Sequence, residues 1–287
     1  MNPTPTVNAV SNQVVCNGGN STLVTFASTL NVSGTSFNWT NDDTSIGIGA
    51  SGTDTIPLTA LTNSGTSPVV ATFTVTPTAN GCSGTPITFT ITVNPTPTVN
   101  QVTNIEYCGG TSQSAINFSG TSSNTTYPWT STQNVGFNTS GTGNISSYTL
   151  DPSSQVISTI TVTPTIGSCT GTPMTFTVTV DPKVIVDAGT DATICSTDTQ
   201  TLNGSVTQGA TTGLWSTSGD GSFDDPTSFT AIYTPGANDI TAGTVNLTLT
   251  SADPAGACGS VTDTMVLTIN PAAVANAGAD ATVCSSS

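Results

Sequence analysis

Three stretches of the chain alternate apolar residues with threonine: Thr85–Val93, Thr172–Val180 and Thr262–Ile269. A period of two is the signature of a strand with one face buried and one face wet. Threonine is β-branched and sits well on a pleated surface, so it supplies a polar face without weakening the strand. Clusters of Gly, Asn, Ser and Pro punctuate the runs. Over the first 95 residues the pattern predicts strands near 5–10, 21–30, 35–40, 46–49, 54–60, 69–78 and 85–93. No window of adequate length shows a helical period with caps. Seven short antiparallel strands in one such stretch predict a β-sandwich. The apolar fraction is only 34%, but a disordered chain has no reason to hold so regular an alternation.

The pattern repeats. Cys16, Cys108, Cys195 and Cys284 are separated by 92, 87 and 89 residues, and the alternate set Cys82, Cys169 and Cys258 by 87 and 89. Trp39, Trp129 and Trp215 keep the same beat, as do the junctions Asn94-Pro95, Asp181-Pro182 and Asn270-Pro271. Residues 71–95 and 158–182 are identical at 16 of 25 positions, and AGADATVC (277–284) echoes AGTDATIC (188–195). A repeat of this length calls for one sandwich per unit. The expected domains are 1–94, 95–181 and 182–270, with 271–287 forming the first strand of a truncated fourth repeat. The fold class is thus all-β, a tandem of immunoglobulin-like β-sandwiches.

In each unit the tryptophan follows the first cysteine by 20–23 residues and precedes the second by 40–43. That places it on the third strand as a core plug, where one buried indole per sandwich is explained by packing alone. The first cysteine is expected just before the second strand, and the second lies in the tight turn of the last hairpin. On that reading both meet at one pole, and the pairs are Cys16–Cys82, Cys108–Cys169 and Cys195–Cys258. Cys284 is left odd, its partner lost by truncation. A metal site would need clustered Cys or His at short spacing, and there is no His and no Cys-x-x-Cys.

Composition narrows the function. Lys183 is the single Lys or Arg, against 16 Asp and Glu and a net charge of −15. Nucleic-acid binding needs cationic side chains against phosphate, and so does binding to anionic membrane surfaces. No run of apolar residues is long enough to span a bilayer. With no His, one Lys and one Glu, no catalytic constellation can be assembled, and an enzyme is not expected. The cysteines point to an oxidising compartment. A fainter signal is calcium, with no other cofactor implied. Asp187, Asp191, Asp220, Asp224 and Asp225 stand in Gly-rich turns, where carboxylates and carbonyls suit Ca²⁺. The spacing is not that of an EF-hand loop, and Asp also favours turns for its own hydrogen bonding.

The run DAGTDATIC (187–195), LWSTSGDGSFDDP (214–226), YTP (233–235) and VLTINP (266–271) resembles the PKD-like and Ig-like repeats of very large Bacteroidetes surface proteins. These include gliding-motility adhesins of the SprB type and related proteins of the type IX secretion system. The resemblance covers the whole chain and implies structural stalk repeats of a cell-surface adhesin or filament, extracellular, projecting a binding region and supporting adhesion or gliding. The alternatives are glycan- or protein-binding repeats of a secreted protein, or accessory domains of a secreted hydrolase. The implied partners are neighbouring repeats of the same long chain, with surface polysaccharide or other cell-surface proteins beyond them. The resemblance further implies O-glycosylation at Thr55 and Thr264, within Asp54-Thr55-Ile56 and Asp263-Thr264-Met265. With one clamp inside each unit, a tryptic cut after Lys183 is expected to release the first two repeats from the third.

Overall fold

The computed structural model describes residues 3–30 and 32–273, together with 275, 276, 278 and 280. The segment 271–287, expected to open a fourth repeat, falls largely outside the described residues, and Cys284 falls wholly outside. The described residues form strands and connecting loops, with one 3-10 turn at Thr44–Ile46 and one short α-helix at Ala237–Ala242.

One strand order recurs in each repeat. In the first, the strand Gln13–Cys16, here called the lead strand, lies beside Ile87–Asn94, which pairs with Val69–Ala79, then Ser36–Asn41 and Ser51–Thr53. The second repeat runs Ile105–Cys108, Met174–Asp181, Val156–Val162, Pro128–Ser131 and Ser140–Thr142. The third runs Ala192–Cys195, Thr262–Asn270, Thr244–Ser251 and Gly213–Thr217. The two long central strands form the closing hairpin of each unit. Along Val69–Ala79 the residues Ala71, Phe73, Val75 and Ala79 are buried while the threonines between them are half-exposed. The alternation thus has the face the sequence predicts.

A smaller layer covers the buried face. In the first repeat Val24–Thr25 pairs with Thr55–Ile56, and Phe26 lies 6.4 Å from Phe89 of the closing hairpin. Phe73 and Phe89 stack at 5.2 Å, and Trp39 sits 5.8 Å from Phe73. In the third repeat the small sheet is Gln200–Thr201, Ile232–Thr234 and Ser222–Phe223. It sets Leu202 and Tyr233 against Leu247 and Leu249, all at most 2% exposed. The strands Val184–Asp187 and Ser205–Gln208 form a further ladder there.

The chain divides into two compact units. The first holds Met1–Ile105, Gln113–Tyr148 and Ile157–Val178; the second holds Glu106–Ser112, Thr149–Val156 and Thr179–Ser287. The pole of the second repeat that carries Cys108 therefore groups with the third repeat.

Two expectations for the first repeat need correction. Residues 5–10 form no strand, and are tied to a neighbouring segment by Asn8 N–H to Ala27 O at 2.8 Å and by Thr6 Oγ1 to Ser28 Oγ at 2.7 Å. Of the 46–49 segment only Ile46 belongs to an element, as the last residue of the 3-10 turn, whose start is capped by the Asp43 carboxylate on Ser45 N–H. The missed element is the lead strand Gln13–Cys16. It is short and half-exposed on both faces, so it carries no clean alternation.

Each tryptophan lies over a glycine. Trp39 pairs in register with Gly52, and Trp129 with Gly141. A Cβ on either glycine would fall inside the indole ring's van der Waals shell. In the third repeat Gly204 takes that place against Trp215. We expect Gly52→Ala and Gly141→Ala each to destabilise the protein by about 1–3 kcal/mol, as overpacked cores do. Gly49→Ala, with nothing within 4 Å of a new Cβ, should leave the midpoint unchanged. Urea denaturation followed by tryptophan fluorescence measures all three.

Candidate functional site: the clamps between repeats

The lead strand runs parallel to the last strand of its own repeat. Gln13 is level with Ile91, and Cys16 with Asn94. The third repeat is built alike, with Ala192 level with Leu267 and Cys195 with Asn270. The first cysteine of a repeat is thereby carried to the pole where the chain leaves for the next repeat. The second cysteine sits at the opposite pole, in the hairpin turn, with Cys82 paired to Ala79. An eight-residue strand, Ile87–Asn94, separates those poles by roughly 25 Å at about 3.3 Å per residue. A disulfide needs Cα atoms within about 7 Å. Pairs within a repeat are therefore geometrically closed off.

The observed disulfides are Cys16–Cys169 and Cys108–Cys258, with Cα–Cα separations of 5.5 and 4.8 Å. Each joins the first cysteine of one repeat to the second cysteine of the next. This corrects the expected pairs Cys16–Cys82, Cys108–Cys169 and Cys195–Cys258. Cys82 and Cys195 are free and exposed. The physical reason is the parallel lead strand, which places Cys16 at the far end of the sandwich from Cys82. Each clamp closes within one compact unit, Cys16–Cys169 in the first and Cys108–Cys258 in the second.

Polar groups lock both clamps. At the first, Asn17 N–H donates to Asn94 O at 2.9 Å, and Asn94 Nδ2 lies 3.8 Å from Cys169 Sγ. Asn17 Nδ2 donates to Thr96 Oγ1 at 3.0 Å, just past Pro95. Asn63 Nδ2 donates to Val93 O at 2.7 Å and to Ser67 O at 2.9 Å. Ser123 N–H reaches back from the second repeat to Thr66 O at 2.7 Å. At the second clamp Gly109 N–H donates to Asp181 O at 2.8 Å. The buried Asp181 carboxylate accepts from Gln155 Nε2 and from Ala257 N–H, each at 2.8 Å. Gly256, at φ +102°, leaves no room for a Cβ beside that carboxylate. Lys183 and Asp151 form an ion pair at 3.2 Å, roughly half-exposed on both sides. At such exposure the pair is worth about 0–1 kcal/mol. Cys169 and Cys258 are only 3% and 4% exposed, so an attacking thiolate has poor access to them.

The three tryptophans are buried, and their indole N–H groups donate to Thr55 O, Gly143 O and Ser228 O at 3.0–3.1 Å. The five aspartates considered for calcium each accept backbone N–H groups. Asp187 holds Gly189, Asp191 holds Val266, Asp220 holds Asn238 and Asp239, Asp224 holds Asp225 and Ile232, and Asp225 holds Thr227. Among the described residues no three His, Cys, Asp or Glu side chains gather at metal-holding distance. Thr55 and Thr264 are both exposed on strands, and Thr264 Oγ1 lies 2.8 Å from Thr248 Oγ1.

Sequence reasoning missed Asp239. Its carboxylate is 2% exposed. It accepts from Tyr233 Oη at 2.6 Å, from Gly221 and Gly236 N–H at 3.0 Å, and from Asp220 N–H at 3.2 Å. Burial pushes its pKa up, but those donors outweigh burial and hold it below the ordinary 3.8. Burial first, then the Asp239 carboxylate, pushes the Tyr233 phenol up from 10.0 to about 12. One signal was present in the sequence. Asp239 stands three residues past Gly236, the position from which a carboxylate reaches back over a helix N-terminus.

The geometry on these sheets is that of a tandem immunoglobulin-like β-sandwich protein. Residues 13–97 match the family model of a PKD-like domain, a span that falls on the first repeat from its lead strand onward. No curated protein matches the chain. Among solved structures, Sidekick-1 immunoglobulin domains 1–5 are 14% identical, with 95% of this chain and 60% of that one covered at a TM-score of 0.43. The insect immune protein hemolin is 12% identical, with coverages of 93% and 76% and a TM-score of 0.39. The human desmocollin-1 ectodomain is 14% identical, with coverages of 94% and 62% and a TM-score of 0.34. The chain thus spans 60% of the Sidekick-1 chain. Among the described residues no helix is long and apolar enough to cross a membrane.

The Cys108–Cys258 clamp straddles Lys183, which overturns the expectation that a cut there releases the third repeat. Trypsin should cleave the oxidised protein only after Lys183, the sole Lys or Arg. The product should run as one species on a non-reducing gel and as two after reduction.

Titration of the Tyr233–Asp239 pair gives a second expectation. The depressed Asp239 pKa contributes stability that is present above the ordinary value of 3.8 and lost as pH falls through the lower folded value. The raised Tyr233 pKa contributes stability that is present below 10.0 and lost as pH rises towards about 12. Thermal melts of wild type and Tyr233→Phe across pH should show wild type losing its advantage over that alkaline interval. An advantage that stays constant would contradict the assignment.

Proposed function

We propose that this chain is a stalk segment of a large bacterial surface protein, of the gliding-adhesin type exported by Bacteroidetes through type IX secretion. It acts outside the cell as a non-catalytic spacer that holds a binding region away from the surface. The observation that carries this reading is the covalent continuity of the repeats. Both disulfides tie one sandwich to the next, and the sequence spans they close, 16–169 and 108–258, interleave along the chain. A spacer under tension lengthens when its sandwiches open and release folded chain. Here each junction carries a second covalent strand. The near absence of Lys and Arg suits a segment exposed to proteases, and the PKD-like match of residues 13–97 is consistent with repeat architecture.

Force spectroscopy on the full chain, pulled from its ends, tests this. In the oxidised protein the shortest covalent path crosses both clamps, so extension should stop at roughly 370 Å, against about 1,000 Å after reduction, at about 3.5 Å per residue. Equal final extensions with and without reductant would show that the clamps bear no load, and the stalk reading would lose its support.

A further inference from the structure

Cys82 and Cys195 are the free cysteines among the described residues, and each is the repeat-equivalent of cysteines that are bonded. Cys195 stands at the end of a lead strand, as Cys16 and Cys108 do. The backbone bond that follows the cysteine is the same in all three repeats. Ser196 N–H donates to Asn270 O at 2.8 Å, as Asn17 does to Asn94 at 2.9 Å and Gly109 to Asp181 at 2.8 Å. Past the following proline the same two segments are tied again through different groups: Ala272 N–H donates to Ser196 Oγ at 3.1 Å, and Asn17 Nδ2 donates to Thr96 Oγ1 at 3.0 Å. Cys82 stands in the hairpin turn that holds Cys169 in the second repeat. The pairs Ala79–Cys82 and Ile166–Cys169 match, and Gly84 N–H to Pro77 O equals Gly171 N–H to Pro164 O, both at 2.9 Å. What differs is cover. Cys169 and Cys258 are buried by the repeat they bond, and Cys16 and Cys108 are half-buried, whereas Cys82 and Cys195 are exposed.

We propose that Cys82 and Cys195 are docking sites for further sandwiches of the same kind. Cys195 takes the hairpin-turn cysteine of a sandwich that follows the third repeat. Cys82 takes the lead-strand cysteine of a sandwich that precedes the first. The clamp then runs unbroken, each repeat bonded to the one before and the one after. Closing each bond removes two protons and two electrons from a pair of thiols. They pass to a low-molecular-weight disulfide, which is first attacked by one thiolate and finally leaves as two thiols. The pairing follows from repeat geometry whether or not the chain bears load, so its test is separate from the stretching experiment.

Two lengthened chains provide that test. In one, a copy of residues 199–270 continues after Ser287, completing a fourth sandwich on the lead sequence AGADATVC. In the other, a copy of residues 1–93 precedes Asn2, where residues 2–8 and 94–100 spell the same NPTPTVN. Each chain, and the original, is equilibrated with glutathione disulfide and glutathione, alkylated, and mapped without reduction after broad-specificity digestion. In the original chain Cys82 and Cys195 should both be alkylated. In the first lengthened chain Cys195 should lose its label and appear linked to the added counterpart of Cys258. In the second, Cys82 should appear linked to the added counterpart of Cys16. The proposal is overturned if Cys195 bonds Cys284, if the added cysteines pair within their own sandwich, or if copies cross-link to one another. Continued alkylation of Cys82 and Cys195 in the lengthened chains, with Cys16–Cys169 and Cys108–Cys258 intact, overturns it equally. Those two native links report folding in the same digest, and the two extensions are independent, so failure of one to fold leaves the other decisive.

Discussion

The parallel pairing of a four-residue lead strand with the last strand of its own sandwich governs the rest of this molecule. Parallel neighbours run the same way, so a cysteine at the end of the lead strand is delivered to the end of the sandwich. There it stands level with Asn94 or Asn270, one residue before the proline that begins the next repeat. An antiparallel lead strand would have turned the same cysteine back towards its own hairpin turn. The choice between clamping a domain to itself and clamping it to its neighbour is made by the direction of one short ladder.

The energetic consequences differ from those of a domain-internal clamp. Each observed bond closes a span of about 150 residues, on the order of 5 kcal/mol in the chain-entropy model. The two spans interleave, so the second bond closes a chain already constrained by the first, and the two contributions are not independent. Set against domain stabilities of about 5–15 kcal/mol, this is a large fraction for sandwiches whose exposed faces are threonine and whose apolar content is modest. Burial of Cys169 and Cys258 follows from the same arrangement, since the neighbouring repeat that supplies the bond also shields it.

Within each sandwich the sequence makes small residues serve large ones. Trp39 and Trp129 occupy space that only Gly52 and Gly141 leave open, and in the third repeat Gly204 does the same for Trp215. The aspartates that first suggest metal ligands are occupied instead with backbone N–H groups. Asp224 bridges two strands' worth of turn through Asp225 and Ile232, and Asp191 pins the last strand through Val266. In a chain with one cation, backbone amides are the donors available to carboxylates, and turns are where those amides are unpaired.

The sequence by itself determined the all-β class, the repeat length, the closing hairpins and the burial of one tryptophan per unit. These depend on local alternation and on spacing, which a single chain displays directly. It did not reveal the lead strand, because Gln13–Cys16 is short and half-exposed and a parallel partner leaves no hairpin signal between the two strands. The disulfide pairing inherited that gap. Seven cysteines at regular spacing fit pairing within repeats as well as pairing between them, since both preserve the period. The environment of Asp239 was hidden for a related reason, for its donors Gly221 and Tyr233 are 18 and 6 residues away and meet it only once the small sheet has folded over the helix. Tertiary structure alone decided which cysteine stands at which pole. Pole identity is a property of strand direction, and direction is fixed by long-range pairing that local pattern does not encode.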